Sequence, residues 1–411
     1  MSVNFAGEAR EIHTHIGVMQ PMRVMQIVFS FDAEAVGGGI SRFAIALSRA
    51  LPRPEFEPVL CALWDRGTPQ EQQTMQELQQ AGIQAFAAAA WDEQRPYAAF
   101  ARASTGLRRA LSQQPVDLLH SHSEFSDVAA VLLKAERRTR HILRTVHNGR
   151  GLEWPRRPLR RLLLTNLLYP LAFDAEIGVS QHVTATLNRR WLAQRLKRPA
   201  LCLYNAVDLS RFGGVLPSRA QTRADLGLPR QAYVVGTVGR LEREKGYDVL
   251  LQAAAQVMAR RPEVYFVIVG DGKEASQLRQ QAHDLGIARQ VVLTGSRPDV
   301  EALLQAMDLF ACSSRWEGLS TAVMEAMACG VPLVATDIPG NRELLRAGQS
   351  AWMLPPEDPG ALAEAILAAH SDPAQCQAYA RLARLAVQAF TIQAVADQHA
   401  ALYRRLCASR A

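Results

Sequence analysis

The sequence predicts an α/β protein of two Rossmann-like domains facing across a cleft. Three observations carry that prediction. Short apolar runs of strand length alternate with longer stretches of helical period, the pattern of a doubly wound parallel sheet. The alternation breaks off at an irregular segment near residues 205 to 220 and then begins again. Finally, 411 residues are too many for one ordinary core, so two units of roughly 200 residues each are expected. In such a pair, function is expected in the cleft where the C-terminal ends of the strands face each other.

Taken in order, residues 1–22 contain acids, lack an apolar core and read as a flexible extension. His13 and His15 within it have the chemistry of metal ligands, but a solvated tail is the simpler reading. The first domain, expected over 23–205, opens with "RVMQIVFSF" as a buried strand. That strand ends at the glycine loop "AVGGGIS" and leads into the amphipathic helix "RFAIALSRAL". "FEPVLCAL", "VDLLHSH", "HILRTVHN" and "AEIGVS" follow as strands, separated by Ala/Leu/Arg-rich helical stretches. "LYNAVDLSRF" and "GGVLPS" are rich in turn formers and set a linker at 206–220. The second domain, 221–385, repeats the pattern with "AYVVGTVGRLEREKG", "VYFVIVGDG", "QVVLTG", "DLFACSS" and "PLVAT". Residues 386–411 are expected as a helix that packs back on the first domain.

The balance of 46 Lys+Arg against 39 Asp+Glu gives a net charge of +7. It points to an anionic partner: nucleic acid, anionic lipid or a phosphorylated substrate. The six cysteines are scattered, with no CxxC and no zinc-like spacing. Free thiols in a reducing cytosol follow, and with them a cytoplasmic location. From Lys134 to Arg161 the chain is dense in arginine, and the apolar run "LLLTNLLYPLAF" comes straight after it. The run is too short to cross a bilayer and is interrupted by Asn166 and Pro170. Residues 134–173 therefore read either as a solvated basic loop before a buried helix or as a peripheral contact with an anionic membrane surface. Nucleic acid is not expected, because no aromatic stacking platform accompanies the charges.

The chemistry concentrates in "SSRWEGLSTAVMEAMACGVPLVATDIPG". The composition predicts a helix from Thr321 to Cys329, with Ser320 as its N-cap and a stop at Gly330. Glu317 then lies in the preceding loop and Glu325 in the second helical turn. Gly318 and the free N–H groups of Leu319, Ser320 and Thr321 form an anion site at the helix N-terminus. "GRLEREKG" brings Arg240 and Lys245 to the same end of the sheet, two cations suited to a diphosphate. No Asp-x-Asp pair occurs, so side-chain cations take the place of a metal, and neither metal nor cofactor is expected. In the first half, His120, His122 and His147 stand at strand ends. His122 is the candidate for contact with a substrate, against the reading of each as a hydrogen-bonded structural histidine. Gly38 and Gly39 either admit a ligand close to the backbone or only make the turn. "VIVGDGKEA" matches G-x-G-x-x-A at Gly270, Gly272 and Ala275. The dehydrogenase it suggests lacks the acidic residue expected at the end of the next strand.

Together "GRLEREKGYDVLLQA", "VIVGDG", "VVLTG", "AMDLFACSSRWEGLSTAVMEAMACGVPLVATDIPGNREL" and "YNAVDLSRF" resemble the family 4 glycosyltransferases of the GT-B fold. Glu317 and Glu325 match the family's E-x7-E signature. The likeness is strong over Tyr233 to Leu344 and weaker in the first half. It implies a retaining transferase that moves a sugar from a nucleotide-diphosphate sugar to a glycan or lipid-linked acceptor in cell-surface polysaccharide or glycolipid synthesis. It also implies roles: Arg240 and Lys245 on the diphosphate, Glu317 on the donor sugar, Glu325 on the ribose and His122 beside the transferred sugar. A sugar-nucleotide epimerase and a catalytically silent glycan-binding protein of the same fold are the alternatives. Ala206 in place of glycine, Trp316 before Glu317, and "DIPG" in place of a double glycine are the departures from the pattern.

Overall fold

The computed structural model describes residues 20–32, 38–148, 162–214, 216–346 and 348–408. The first domain is a seven-stranded parallel sheet built from β1 (Met22–Val28), β2 (Phe56–Asp65), β3 (Gln84–Ala90), β4 (Val116–Ser121), β5 (Thr139–Val146), β6 (Ala175–Gly178) and β7 (Leu201–Cys202), in the order β3-β2-β1-β4-β5-β6-β7. The second is a six-stranded parallel sheet of β8 (Tyr233–Val238), β9 (Val264–Val269), β10 (Val291–Gly295), β11 (Leu309–Cys312), β12 (Leu333–Thr336) and β13 (Trp352–Leu354), in the order β10-β9-β8-β11-β12-β13. The inner strands read as near-continuous apolar runs because helices cover both faces of each sheet. Each order reverses once, between β1 and β4 and between β8 and β11, and the crevice outside those strand ends is where such sheets bind ligands.

Three strands were not expected. β3, "QAFAAAA", is an edge strand paired only to β2. Alanine favours helix, and only the sheet edge it completes makes this run extended. β7 and β13 are two and three residues long, too short to show a period. The first strand also starts at Met22, inside the expected extension.

The chain crosses between the domains twice, at adjacent places. Val207 N–H donates to Phe390 O at 2.9 Å, and Ile392 N–H donates to Val207 O at 3.0 Å. After the second crossing the helix Ile392–Ala408 lies on the first domain. Its Tyr403 and Ala400 share a core with Val24, Leu118 and Ile177, and Val395 and Ala396 pack on Phe43 and Leu47. Elsewhere Val179 and Val183 of the first domain share an apolar cluster with Leu319 and Val323 of the second. Glu343 of the second domain accepts from the N–H groups of Gln181 and His182, at 2.7 and 2.9 Å, which caps the first-domain helix Gln181–Asn188.

Candidate active site

The loops after β1, β5, β8 and β11 meet around a cavity of about 240 Å³. On the second-domain side the turn after β8 is left-handed at Gly246, with φ +64°. A Cβ there would sit 2.2 Å from Ser313 O, so only glycine lets the two loops close. That closure is tied by Ser313 Oγ donating to Lys245 O at 2.8 Å. It brings Lys245 Nζ 2.5 Å from Glu317 Oε1, which also accepts from Ser314 Oγ at 2.8 Å. Burial alone would depress the Lys245 ammonium; the Glu317 carboxylate outweighs it and holds the pKa above its ordinary value.

The helix Thr321–Cys329 points its N-terminus at this pair, and the Ser320 hydroxyl accepts from Val323 N–H at 3.4 Å as the cap. Gly318, Leu319, Thr321 and Glu325 lie on the cavity wall. Ser320 does not; it lines a small separate space with Lys245 and Glu317. Gly318 has no room for a side chain, since its Cβ would meet His147 O at 2.0 Å. The two domains therefore touch backbone to backbone at the edge of the cavity. Glu325 accepts from Arg211 Nη1 at 3.4 Å, and Arg211 also pairs with Glu301. Arg240 lines the cavity and pairs with Glu244 four residues on. Both expected cations thus carry a carboxylate partner and are held in place by it. Arg42, on the helix Gly38–Ala50 of the first domain, also lines the cavity and has no ion-pair partner among the described residues. Gly39 reaches the cavity wall, while Gly38 opens the helix.

His122, expected at the mouth of the cleft, is instead 2% exposed. Its backbone N–H donates to Ser126 Oγ at 3.2 Å and its ring is drawn inward, with Nε2 2.6 Å from Gln26 Oε1. It lines a second cavity of about 190 Å³ beside the first, and His147 lines both. Burial holds His122 well below the ordinary histidine range, with neighbouring imidazoles adding to it, and pushes His147 down to about 3. The second cavity has Arg144 and Asp127 on its wall, their side chains 6% exposed, with Nε and Oδ2 3.3 Å apart. Burial raises Asp127 to about 6 despite Arg144. Arg144 Nε and Nη1 make no hydrogen bond among the described residues.

Arg42 and Arg211 were missed because no local pattern marks them; His147 was marked as a strand-end histidine, but His122 was preferred to it. Arg211 meets Glu325 across 114 residues of sequence, which only the fold can show. The glycines of "VIVGDG" are used in packing: a Cβ on Gly270 would lie 2.0 Å from Gly239 O, and one on Gly272 2.4 Å from Leu241 O. Ala206 is not among the positive-φ residues, so the alanine there is unstrained. Trp316 lines the main cavity. No group of three His, Cys, Asp or Glu side chains able to hold a metal occurs among the described residues. No described helix is long and apolar enough to cross a membrane. Arg156, Arg157, Arg160 and Arg161 fall outside the described residues.

Family models described as "Glycosyl transferases group 1" and "Glycosyltransferase Family 4" match residues 218–386 and 37–211. The D-inositol 3-phosphate glycosyltransferase of Corynebacterium urealyticum is 35% identical over 209 residues, covering 48% of this chain and 49% of that protein. The lipopolysaccharide core biosynthesis glycosyltransferase LpsE of Rhizobium meliloti is 35% identical over 158 residues, covering 38% of this chain and 45% of that protein. The chain thus aligns with about half the length of these relatives. Among solved structures, Anabaena HepE in complex with UDP and glucose superposes with a TM-score of 0.77 at 23% identity, covering 93% of this chain and all of that one.

Proposed function

The chain belongs to family 4 of the glycosyltransferases, and from that premise we propose that it moves a sugar from a nucleotide-diphosphate donor to a glycan or lipid-linked acceptor, with retention. The observation that carries the reading is the Lys245–Glu317 pair set at a helix N-terminus on the wall of the interdomain cavity. A diphosphate placed there meets Lys245, Arg240, Arg42 and the N–H groups of Leu319 and Thr321. Charge developing on the leaving group is stabilised by donors already in position. Glu317 takes hydroxyls of the transferred sugar and Glu325 takes the ribose. The acceptor enters the second cavity, against Arg144, Asp127 and Asn148. Its hydroxyl oxygen bonds to the anomeric carbon on the face that the diphosphate leaves, and its proton passes to the departing diphosphate oxygen. Neither glutamate acts as a nucleophile, unlike the carboxylate pair of retaining glycosidases. No divalent metal takes part, since the cations of the chain carry the countercharge.

The test is thermal denaturation with UDP, GDP and ADP and their sugars, with and without EDTA. A ligand that binds only the folded state raises its stability. One nucleotide should raise Tm, equally with EDTA present; no shift with any of them, or a shift abolished by EDTA, counts against the reading.

The acceptor class is supported by the surface beside the second cavity. Leu162, Leu163, Leu167, Leu168 and Leu171 are exposed on and just after the π-helix Leu162–Leu168, and Trp191, 67% exposed, stands on the adjoining helix Trp191–Arg195. Leucine with an interfacial tryptophan, next to a basic stretch, suits an anionic membrane surface. It would hold the enzyme peripherally on the cytoplasmic leaflet. Co-sedimentation with vesicles should rise with anionic lipid and fall when Arg156, Arg157, Arg160 and Arg161 become Gln; binding indifferent to both would sink the membrane contact.

A further inference from the structure

Behind the cavity wall runs a chain of hydrogen bonds that the donor and acceptor seats do not use. His147 Nε2 lies 3.2 Å from His122 Nδ1, and His122 Nε2 lies 2.6 Å from Gln26 Oε1. Gln26 Nε2 donates to the Tyr403 hydroxyl at 3.1 Å, that oxygen lies 2.8 Å from His120 Nδ1, and His120 Nε2 lies 2.7 Å from Thr145 Oγ1. One end of the chain is at the cleft, where His147 lines both cavities. The rest is core: Gln26, His120 and Tyr403 are 0% exposed. Phe43 closes one side, its ring centroid 5.5 Å from that of His147 and 6.0 Å from that of His122.

Imidazoles kept neutral by such surroundings each have one N–H and one lone pair, so a nitrogen that donates forces its partner nitrogen to accept. The direction of the link at Gln26 is therefore passed through His122 to His147. With Gln26 Oε1 accepting from His122 Nε2, His122 Nδ1 must accept from His147 Nε2. That leaves the His147 lone pair on Nδ1, which has no hydrogen-bond partner among the described residues. At the other end, the Tyr403 hydroxyl has its own proton to give, and His120 and Thr145 Oγ1 continue the line.

We propose that this relay fixes the tautomer of His147, so that Nδ1 accepts a hydrogen bond from a substrate hydroxyl in the cleft. Tyr403, on the C-terminal helix and three hydrogen bonds away, is a positioning residue for that contact. The substrate hydroxyl rests on the glycosyltransferase reading; the relay itself does not. The role of Tyr403 follows from what its hydroxyl prevents. Without it, Gln26 Nε2 has no acceptor and the amide is free to turn over. It then presents Nε2 to His122, whose proton moves to Nδ1, and His147 inverts in turn.

The experiment uses the full chain labelled with ¹⁵N-histidine, with long-range ¹⁵N–¹H correlations at pH 7 and His147→Gln to assign the signal. The wild type should show a bare Nδ1 and a protonated Nε2 at His147, and Tyr403→Phe should mix or invert that pattern. A protonated Nδ1 in the wild type, or His147 resonances unmoved by Tyr403→Phe, overturns the proposal. In turnover, Tyr403→Phe should lower kcat by at least about tenfold, a wrong histidine tautomer being costly elsewhere. In the His147→Gln background it should cost nothing further, whereas additive losses would mean a merely structural tyrosine. A rise in the donor KM places the hydroxyl on the donor sugar, and a rise in the acceptor KM places it on the acceptor. If no nucleotide sugar is turned over by the wild type, the glycosyltransferase reading fails while the spectra still decide the relay.

Discussion

The charge on Lys245 is shared between Glu317 and whatever enters the cavity beside it, so a substitution there has two effects that must be separated. Lys245→Ala should remove about 2 to 4 kcal/mol of transition-state stabilisation, as the loss of one preorganised donor does elsewhere. It also leaves Glu317, 13% exposed, without its cation, and breaking a buried pair costs roughly 3 to 5 kcal/mol of stability. Lys245→Met with Glu317→Gln should regain most of that stability and none of the activity; recovery of both would show that the lysine is only structural. The two glutamates should divide by kinetic parameter. Glu317→Gln keeps an acceptor for Ser314 Oγ but loses the charge, so kcat should fall and the choice of sugar should loosen. Glu325→Gln should chiefly raise the donor KM, because a grip on the ribose is nearly the same in ground and transition states. Equal effects on kcat from both would refute the division.

At the scale of elements, the helix Thr321–Cys329 is held at both ends of its first turn. Ser320→Ala removes the cap and should lower stability by about 1 kcal/mol, while nucleotide binding weakens as the helix N-terminus frays. Gly318→Ala should do far more. Its Cβ would sit 2.0 Å from His147 O, so the domains must part, and turnover should vanish even though the fold still melts cooperatively in calorimetry. An active Gly318→Ala enzyme would show that this closed approach is dispensable. This helix was legible in the sequence because its cap, its alanines and its terminal glycine are contiguous, and β9 and β11 were legible because they read as unbroken apolar runs. β3 was not, because its alanines carry the opposite propensity. Glu317, Arg240 and Lys245 stood out as charges in loops after strands, and Glu325 as a charge in the helix that follows. Arg42, Arg211 and Tyr403 did not, because what distinguishes them is a partner or cavity brought near by the fold, and His147 stood out only as one of three strand-end histidines.

Across the whole molecule, the buried histidines make stability depend on pH. Burial pushes His399 down to about 4 and His147 to about 3, and holds His120 and His122 well below their ordinary value. The unfolded chain, with histidine near 6.5, takes up protons that the folded one refuses. This stability is complete above pH 6.5 and is lost as the pH falls through 4 towards 3. Asp127, raised to about 6, acts in the opposite sense: protonated in the folded chain first, it recovers stability over part of the same window. Each histidine changes the unfolding free energy by up to about 1.4 kcal/mol per pH unit, so four against one gives a net loss in acid. The urea midpoint should fall between pH 7 and pH 5. His399→Leu, which removes a 0% exposed ring whose Nε2 has no hydrogen-bond partner among the described residues, should flatten that fall by about one group's worth. A midpoint independent of pH would mean that these rings are not held neutral.

The two chain crossings at Val207 and Thr391 lie against each other and are tied by backbone hydrogen bonds. An adjacent pair of crossings suits the spine of a book, about which two covers would swing with the margin farthest from the spine travelling most. Glu343 on the N-terminus of Gln181–Asn188 and the apolar contact of Val179 and Val183 with Leu319 and Val323 are the catch that keeps the book shut. On the proposed function, loading the donor and releasing the spent nucleotide should then depend on how freely the spine bends. Ala206, with its methyl group, bends less readily than glycine would. Ala206→Gly should widen the spread of interdomain distances in single-molecule energy transfer and, where release of the nucleotide limits turnover, quicken it.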